Sequence, residues 1–327
     1  MIELRRNIKV NGEIKNITVF GPGMMGSGIG IQFAQKGCNV VLRAREKFEE
    51  DYAVENIDRN IKDMIENDCM TVEEGELIKK NIRIIYDINE AVRDADLIFE
   101  CVIEDMQVKQ DLFKELDEIC PENVILATNT SVMSITEIAS KSVHRERIVG
   151  THFWNPAFLI PLVEIIRTED TSDEVVDKVY DFLKAAGKRP VKVNKDVPGF
   201  IGNRLQHALL REALYIVENG IADAATVDEA VKYGFGMRTP VLGPMEHADM
   251  VGTDLSLSIQ TYLLKHLASS TEPSQILKDC VEKGDLGFKS GKGIQEWTPD
   301  EVAASKRRLN DHLLKSLKDR QTVYGVD

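Results

Sequence analysis

Residues 16–37 read NITVFGPGMMGSGIGIQFAQKG, and this stretch decides the fold. Ile17-Thr18-Val19-Phe20 is an apolar run of buried-strand length that enters Gly21-Pro22-Gly23-Met24-Met25-Gly26. Behind it Ile29, Ile31, Phe33 and Ala34 continue as a helix that Gly37 closes, and Asn39 to Leu42 make the next strand. G-x-G-x-x-G set between a strand and a helix is a phosphate-binding turn. Gly21 turns the chain, Gly23 lets the backbone approach a pyrophosphate, and Gly26 lets helix and strand pack closely. The free amides at the helix N-terminus then receive the negative charge.

The second strand of such a unit usually ends in an acid that binds the adenosine ribose hydroxyls. That position is Ala44 here, flanked by Arg43 and Arg45. Alanine accepts no hydrogen bond, whereas arginines suit a 2′-phosphate, so the pattern favours NADP over NAD. If Glu46 takes the acid's place, NAD is kept and both arginines face solvent. From Phe48 to Ile82 the chain is charged and helical, a hairpin broken near Asn67-Asp68-Cys69-Met70, with Thr71-Val72-Glu73-Glu74 as a capping box. Alternating β/α order then resumes: strands at 82–86, 97–102 and 124–127, with helices at 89–93 and through Leu112, Phe113 and Leu116. The polar loop Thr128-Asn129-Thr130-Ser131 follows a strand's C-terminal end, where open α/β sheets bind ligands. An ordinary turn has a similar composition.

Residues 147–166, RIVGTHFWNPAFLIPLVEII, hold the candidate chemistry. They read as a short strand at Ile148-Val149, a loop holding His152 and Asn155-Pro156, and a strand from Leu162 to Ile166. Glu164 has Val163, Ile165 and Ile166 around it, and a carboxylate is seldom fully buried without a partner. The candidate partner is His152, and a carboxylate on one ring nitrogen sets the histidine up to take a proton from an alcohol. Taken alone, the two residues also fit a satisfied loop histidine and a glutamate on a strand's wet face.

A helix over 173–186 ends at Gly187, and after Asp196-Val197-Pro198-Gly199-Phe200 helical periodicity takes over. We expect a polar extension over residues 1–15, an α/β dinucleotide-binding domain over 16–197 and an all-helical domain over 198–327. Asn203 stands in the first turn of the first helix after the hinge. Thr226-Val227-Asp228-Glu229 caps a further helix, and residues 301–317 form an amphipathic helix read as a solvated surface element.

With 327 residues the chain is long enough for two cores. Its net charge of −13, with no run of Lys and Arg except the brief Lys306-Arg307-Arg308, argues against nucleic acid. No apolar run has membrane-spanning length, and the first residues lack a signal peptide's apolar core. Cys38, Cys69, Cys101, Cys120 and Cys280 are scattered and show no metal-type pairing, as reduced thiols of a cytoplasmic protein would.

Taken together, GPGMMGSGIG at 21–30, FECVIEDMQVKQDLF at 99–113, ATNTS at 127–131, HFWNPAFLIPLVEII at 152–166 and DVPGFIGNRL at 196–205 resemble the L-3-hydroxyacyl-CoA dehydrogenase family. The GMRTPVLGP and GFKSGKG loops extend the resemblance, which covers about Asn16 to Trp297. It implies a Rossmann-like α/β domain with an inserted helical hairpin, then an all-α domain through which a homodimer forms. It also implies oxidation of an L-3-hydroxyacyl-CoA, with His152 as base, Glu164 orienting it, and Ser131 and Asn203 on the substrate oxygen. Asn155 would position nicotinamide or substrate. Glu104, Lys109 and Lys289, with Met24, Met25 and Asn129 of the matching motifs, would meet the cofactor. Ala44 departs from the pattern, as do Asn60 and Asn67, which stand where the family has a serine and a lysine for the CoA nucleotide. Arg59 and Lys62 are then the cations left for CoA on that hairpin. Ile160 to Glu164 and the GMR loop at 236–238 lean toward relatives acting on free hydroxy acids, for which Arg238 is the candidate carboxylate ligand. A non-catalytic cofactor-binding relative is the third alternative, and an intact Ser131, His152, Glu164 and Asn203 set speaks against it.

Overall fold

The computed structural model describes residues 14–323, so nearly all of the expected N-terminal extension lies outside the described residues. In chain order the elements are β1 (Asn16–Phe20), α1 (Met24–Ala34), β2 (Asn39–Arg43), α2 (Lys47–Glu66), α3 (Val72–Lys80), β3 (Ile82–Ile85), α4 (Ile88–Val92) and β4 (Leu97–Glu100). There follow α5 (Met106–Ile119), β5 (Ile125–Thr128), α6 (Ile135–Ile138), β6 (Ile148–Phe153), β7 (Leu162–Ile166), α7 (Asp173–Ala185) and β8 (Arg189–Val193). The helical part holds α8 (Gly202–Glu218), α9 (Ala224–Tyr233), α10 (Pro244–Val251), α11 (Thr253–Leu263), α12 (Gln275–Lys283) and α13 (Pro299–Val323).

The eight strands form one sheet in the order β3-β2-β1-β4-β5-β6-β7-β8. All neighbours are parallel except β6 and β7, which pair antiparallel. This is the Rossmann-like arrangement, with the order reversing between β1 and β4 beside the glycine turn. The central parallel strands β1, β4 and β5 are buried on both faces because helices cover both. On one face Phe33 of α1 stacks on Phe99 of β4 and Phe182 of α7, at ring-centroid distances of 5.3 and 5.0 Å. Phe153 of β6 meets Phe33 and Phe99 edge-on. The other face buries Phe113, Leu116, Ile135, Ile138 and Phe200.

The capping box opening α3 forms as expected, with Thr71 and Glu74 each holding the other's backbone N–H. The cap expected at Thr226 falls three residues earlier: the Asp223 carboxylate caps α9 and accepts the Thr226 N–H at 2.7 Å. Both side chains are of capping type, and the carboxylate is the one at the helix start.

Two compact units divide the chain, one of residues 1–203 and 310–327, the other of 204–309. The break lies a few residues past the expected hinge, because the first residues of α8 are held by the sheet. The chain's end also differs from expectation. Leu314 of α13 is only 2% exposed and joins the core cluster that holds Cys69 and Met70. The helix expected to be solvated therefore closes the α/β unit at the turn of the α2–α3 hairpin.

Truncating a buried leucine costs about 2–5 kcal/mol. Leu314→Ala should accordingly lower the thermal unfolding midpoint, while the same change at exposed Leu309 should not. Equal midpoints for the two variants in calorimetry would show that this end of α13 does not support the core.

Candidate active site

The register of β6 and β7 sets Gly150 opposite Ile166, Thr151 opposite Ile165 and His152 opposite Glu164. Residues directly opposed in an antiparallel pair project to the same face. His152 Nδ1 lies 2.7 Å from Glu164 Oε2, and the two residues are 4% and 0% exposed. The expectation that His152 sits in a loop is corrected: it lies within β6. The apolar run stops at Val149, but pairing with β7 carries the strand through Gly150 and Thr151. Gly150 is required there, since a Cβ would fall 2.9 Å from both Ile135 and Ile166.

Glu164 Oε1 accepts the N–H groups of Ile201 and Gly202 at 2.8 and 2.9 Å. Burial opposes its ionisation, but the hydrogen bonds from His152 and these two amides outweigh burial and hold the carboxyl below its ordinary value. An ionised Glu164 accepts a hydrogen bond from the Nδ1–H of His152, which leaves Nε2 as the nitrogen free to accept a proton. Nε2 has no partner among the described residues.

Around the dyad the structure brings several expected residues together. Asn203 Nδ2 donates to the Ser131 carbonyl at 2.9 Å. The Ser131 N–H and the Thr130 hydroxyl both donate to Glu104 Oε1, at 2.8 and 2.6 Å. Asn129 Oδ1 accepts the Phe153 N–H at 2.8 Å, tying this loop to the strand of His152. Asn155 is exposed and precedes a cis peptide to Pro156. Lys188 anchors the loop beyond it by donating to the carbonyls of Ala157 and Ile160.

Lys109, expected to meet the cofactor, is 1% exposed. Its ammonium lies 2.7 Å from Glu100 and 3.1 Å from Glu104. Glu100 also accepts from the Thr128 hydroxyl and the Val102 N–H, both at 2.7 Å. Burial opposes the Lys109 charge, and the two carboxylates more than offset it, raising its pKa. Glu104 shows the mirror case: burial raises it, while Thr130, Lys109 and the Ser131 N–H bring it below the ordinary value. Glu104 is the accessible member of this cluster. Glu100 was not singled out from the sequence, although it carries the same signal as Glu164, a carboxylate inside an apolar strand.

The glycine turn fits a dinucleotide on structural grounds. Gly21 has φ +84°, and a Cβ there would fall 2.5 Å from the Cys101 carbonyl oxygen. A Cβ on Gly26 would fall 2.2 Å from the Gly21 carbonyl oxygen. At Gly23 a Cβ would meet nothing within 4 Å, so the protein itself does not require glycine there. No acid occupies the first turn of α1. Met24 is exposed and Met25 partly buried on this turn. Beside it Ala44 is buried, and Arg45 is committed to Glu49 through a 2.7 Å ion pair. Glu46 is exposed at the start of α2. The Arg43 guanidinium lies 5.9 Å from the Phe20 ring centroid, with its buried Nε lacking a partner.

On the α2–α3 hairpin the Arg59 side chain bonds Asn56, and Lys62 faces Glu66 at 3.7 Å. Asn67 Nδ2 bonds the Asp63 carbonyl, and Asn60 lies half-buried on the same helix. Arg238 and Lys289 belong to the second unit. Arg238 ends a short 3-10 turn and is exposed, as is Lys289 in the glycine-rich loop.

The family model for the 3-hydroxyacyl-CoA dehydrogenase NAD-binding domain matches residues 16–197, and that for the C-terminal domain matches residues 199–297. A probable 3-hydroxybutyryl-CoA dehydrogenase of Bacillus subtilis is 37% identical over 87% of this chain and 98% of its own length. A 5-formyl-3-hydroxy-2-methylpyridine 4-carboxylate 5-dehydrogenase of Mesorhizobium japonicum is 33% identical over 89% of this chain and 93% of its own. A solved structure of an enzyme with that activity, described as an NAD+-dependent dismutase, matches with a TM-score of 0.85 and 31% identity over 93% and 97% of the two chains.

Two glycine substitutions separate the cradle's structural and ligand roles. Gly26→Ala should lower thermal stability by about 1–3 kcal/mol, as overpacking does. Gly23→Ala should leave the unfolding midpoint of the ligand-free protein in place and weaken dinucleotide binding in calorimetric titration. Undiminished binding by Gly23→Ala would mean that the pyrophosphate does not lie on this turn.

Proposed function

Because the chain belongs to the 3-hydroxyacyl-CoA dehydrogenase family, we propose that it interconverts a short L-3-hydroxyacyl-CoA and its 3-oxo form, with His152 as the general base. The observation that carries this reading is the buried 2.7 Å contact of His152 Nδ1 with Glu164, which leaves Nε2 uncommitted. In the oxidation Nε2 takes the hydroxyl proton, and Glu164 stabilises the imidazolium that results. Ser131 and Asn203 hold the reacting oxygen, and Asn155 orients what lies against His152. The nicotinamide, when bound, supplies the hydride acceptor. Glu104 fixes the backbone of Ser131, and Lys109 keeps Glu104 ionised from behind. A purely cofactor-binding role would leave this buried charged dyad without a purpose.

The cofactor is of the NAD type, and we assign its preference to NADP. Arg43 has a buried, unpartnered Nε at the end of β2, where Ala44 offers the ribose no acceptor. Arg45 joins only by giving up Glu49.

A second reading, a free 3-hydroxy acid, is favoured by the hairpin: Arg59 and Lys62 are already engaged, among the acids Asp58, Asp63 and Glu66. A relative named for a pyridine carboxylate, which carries no thioester, supports this reading. Arg238 is the residue proposed for the free carboxylate.

Among the described residues of the second unit only Leu214 is buried, while Leu209, Tyr233, Leu257 and Tyr262 are exposed. Apolar exposure on this scale marks an association surface, and we assign it to a homodimer. The five free thiols fit a reducing cytoplasm. No described helix is long and apolar enough to cross a membrane.

His152→Ala should lower kcat by about 10²–10⁴-fold, the usual contribution of a general base, and leave the cofactor Kd unchanged. Near-normal turnover would remove His152 from the chemistry. Initial rates with acetoacetyl-CoA and acetoacetate, each against NADPH and NADH, decide substrate form and cofactor together. A higher kcat/KM with NADH would make Arg43 an ordinary surface residue.

A further inference from the structure

Glu100 is the last residue of β4 and pairs with Phe20 of β1 on one side and Thr128 of β5 on the other. It stands where the strand order reverses, between the glycine turn and the Ser131 loop, and it is fully buried. Its carboxylate is saturated. Oε1 accepts the Val102 N–H and the Lys109 ammonium, and Oε2 accepts the Thr128 hydroxyl, each at 2.7 Å.

Lys109 rises from α5 into the gap between Glu100 and Glu104, the two acids that bracket the turn leaving β4. Its ammonium lies 2.7 Å from the first and 3.1 Å from the second, and it also donates to the Val102 carbonyl. The ring of contacts closes that turn on itself. The turn borders both halves of the site: a Cβ on Gly21 would fall 2.5 Å from the Cys101 carbonyl oxygen, and Glu104 accepts the Ser131 N–H and the Thr130 hydroxyl. A buried ion pair adds little net stability over well-packed apolar side chains. What it does supply here is a fixed charge behind Glu104, since Lys109 is itself too buried to meet a ligand.

We propose that Glu100 is a positioning residue for the reaction: it holds the Lys109 ammonium beneath Glu104, and Glu104 in turn sets the Ser131 loop against the reacting oxygen. This rests on the hydroxyacyl reading and extends it into the core of the sheet. The titratable groups that face Lys109 among the described residues are Glu100, Glu104 and the Cys101 thiol, which burial pushes up so that it stays neutral. Burial works against the Lys109 charge, and the two carboxylates together more than offset it. With Glu100 neutralised, one carboxylate is left against the same burial, and the ammonium gives up its proton at lower pH.

The test is the pH profile of oxidation, with L-3-hydroxybutyryl-CoA and L-3-hydroxybutyrate as substrates. In the wild type kcat/KM should rise as the base His152 becomes free and then stay level to about pH 10, where a lysine of ordinary or raised pKa keeps its proton. Glu100→Gln should lower the plateau about tenfold, the weight of one hydrogen bond to a charged group, and turn it down about one pH unit earlier. Glu100→Gln combined with Lys109→Met has no ammonium to titrate, so the early decline should vanish while the plateau stays low. The Lys109 ¹³Cε signal, assigned by its absence from the double variant, reads the same charge without substrate and should titrate earlier in Glu100→Gln than in the wild type. Should Glu100→Gln not fold, Glu100→Asp withdraws the carboxylate by one methylene and is expected to show the same early decline. A single-variant profile of wild-type shape at lower height overturns the assignment, as a merely structural residue would give it. So does an early decline that persists in the double variant, or a Lys109 signal that titrates alike in variant and wild type. A wild type inert toward both hydroxybutyryl compounds removes the hydroxyacyl reading and with it the reaction Glu100 would serve; the ¹³C titration tells that failure from the others.

Discussion

The antiparallel pairing of β6 with β7 is the constraint on which the site depends. In an open parallel sheet, ligands lie beyond the carboxyl ends of the strands. A parallel β7 would deliver only its last residues to that end. Reversal brings the residues near the start of β7 there instead, so Glu164 meets His152 at the end of β6. Side-chain direction alternates along a strand, so a slip of one residue would turn Glu164 away from the histidine. Register is protected by Val163 and Ile165, which are buried on the opposite face. The dyad is set by the sheet rather than by a loop.

The same carboxylate links the sheet to the start of α8. One oxygen of Glu164 is committed to His152 and the other to two amides at the helix N-terminus, whose partial positive charge favours an anion. A buried charge persists when its partners are this complete. Glu100, Lys109 and Glu104 repeat the arrangement beside the Ser131 loop, where Thr128 and Thr130 supply further donors. Ser131 is then held from two directions, its N–H by Glu104 and its carbonyl by Asn203. Asn129 joins the two clusters through the Phe153 N–H. Residues distant in sequence thus form one rigid polar frame inside an apolar unit.

Local signals in the sequence were enough for the strands, the glycine turn and the α2–α3 hairpin, because each is written within a few residues. The unbroken aliphatic neighbours of Glu164 also pointed to a partnered acid. What stayed hidden depends on pairing between segments. The extension of β6 through Gly150 and Thr151 has no apolar signature, since hydrogen bonds to β7 carry it. Lys109 was expected at the cofactor, and Glu100, nine positions earlier, is what draws it inward. The polar pattern of α13 masked Leu314, as one buried side chain leaves little periodic trace.

The requirement that buried polar groups be satisfied also works in reverse, as a pointer to ligands. Unpaired atoms alone are not enough: Asn56 Nδ2, Ser142 Oγ, Thr151 Oγ1 and Asp196 Oδ1 are unpartnered as well. What separates Arg43 is a second, independent feature at its place. Arg43 ends the strand beside the phosphate turn, next to a buried alanine that leaves the ribose position without an acceptor. Gly23 is the complementary case, a residue whose missing side chain relieves no clash in the protein. These two positions mark the proposed places of ribose phosphate and pyrophosphate. The folded chain's own packing explains neither of them, whereas one bound dinucleotide would account for both.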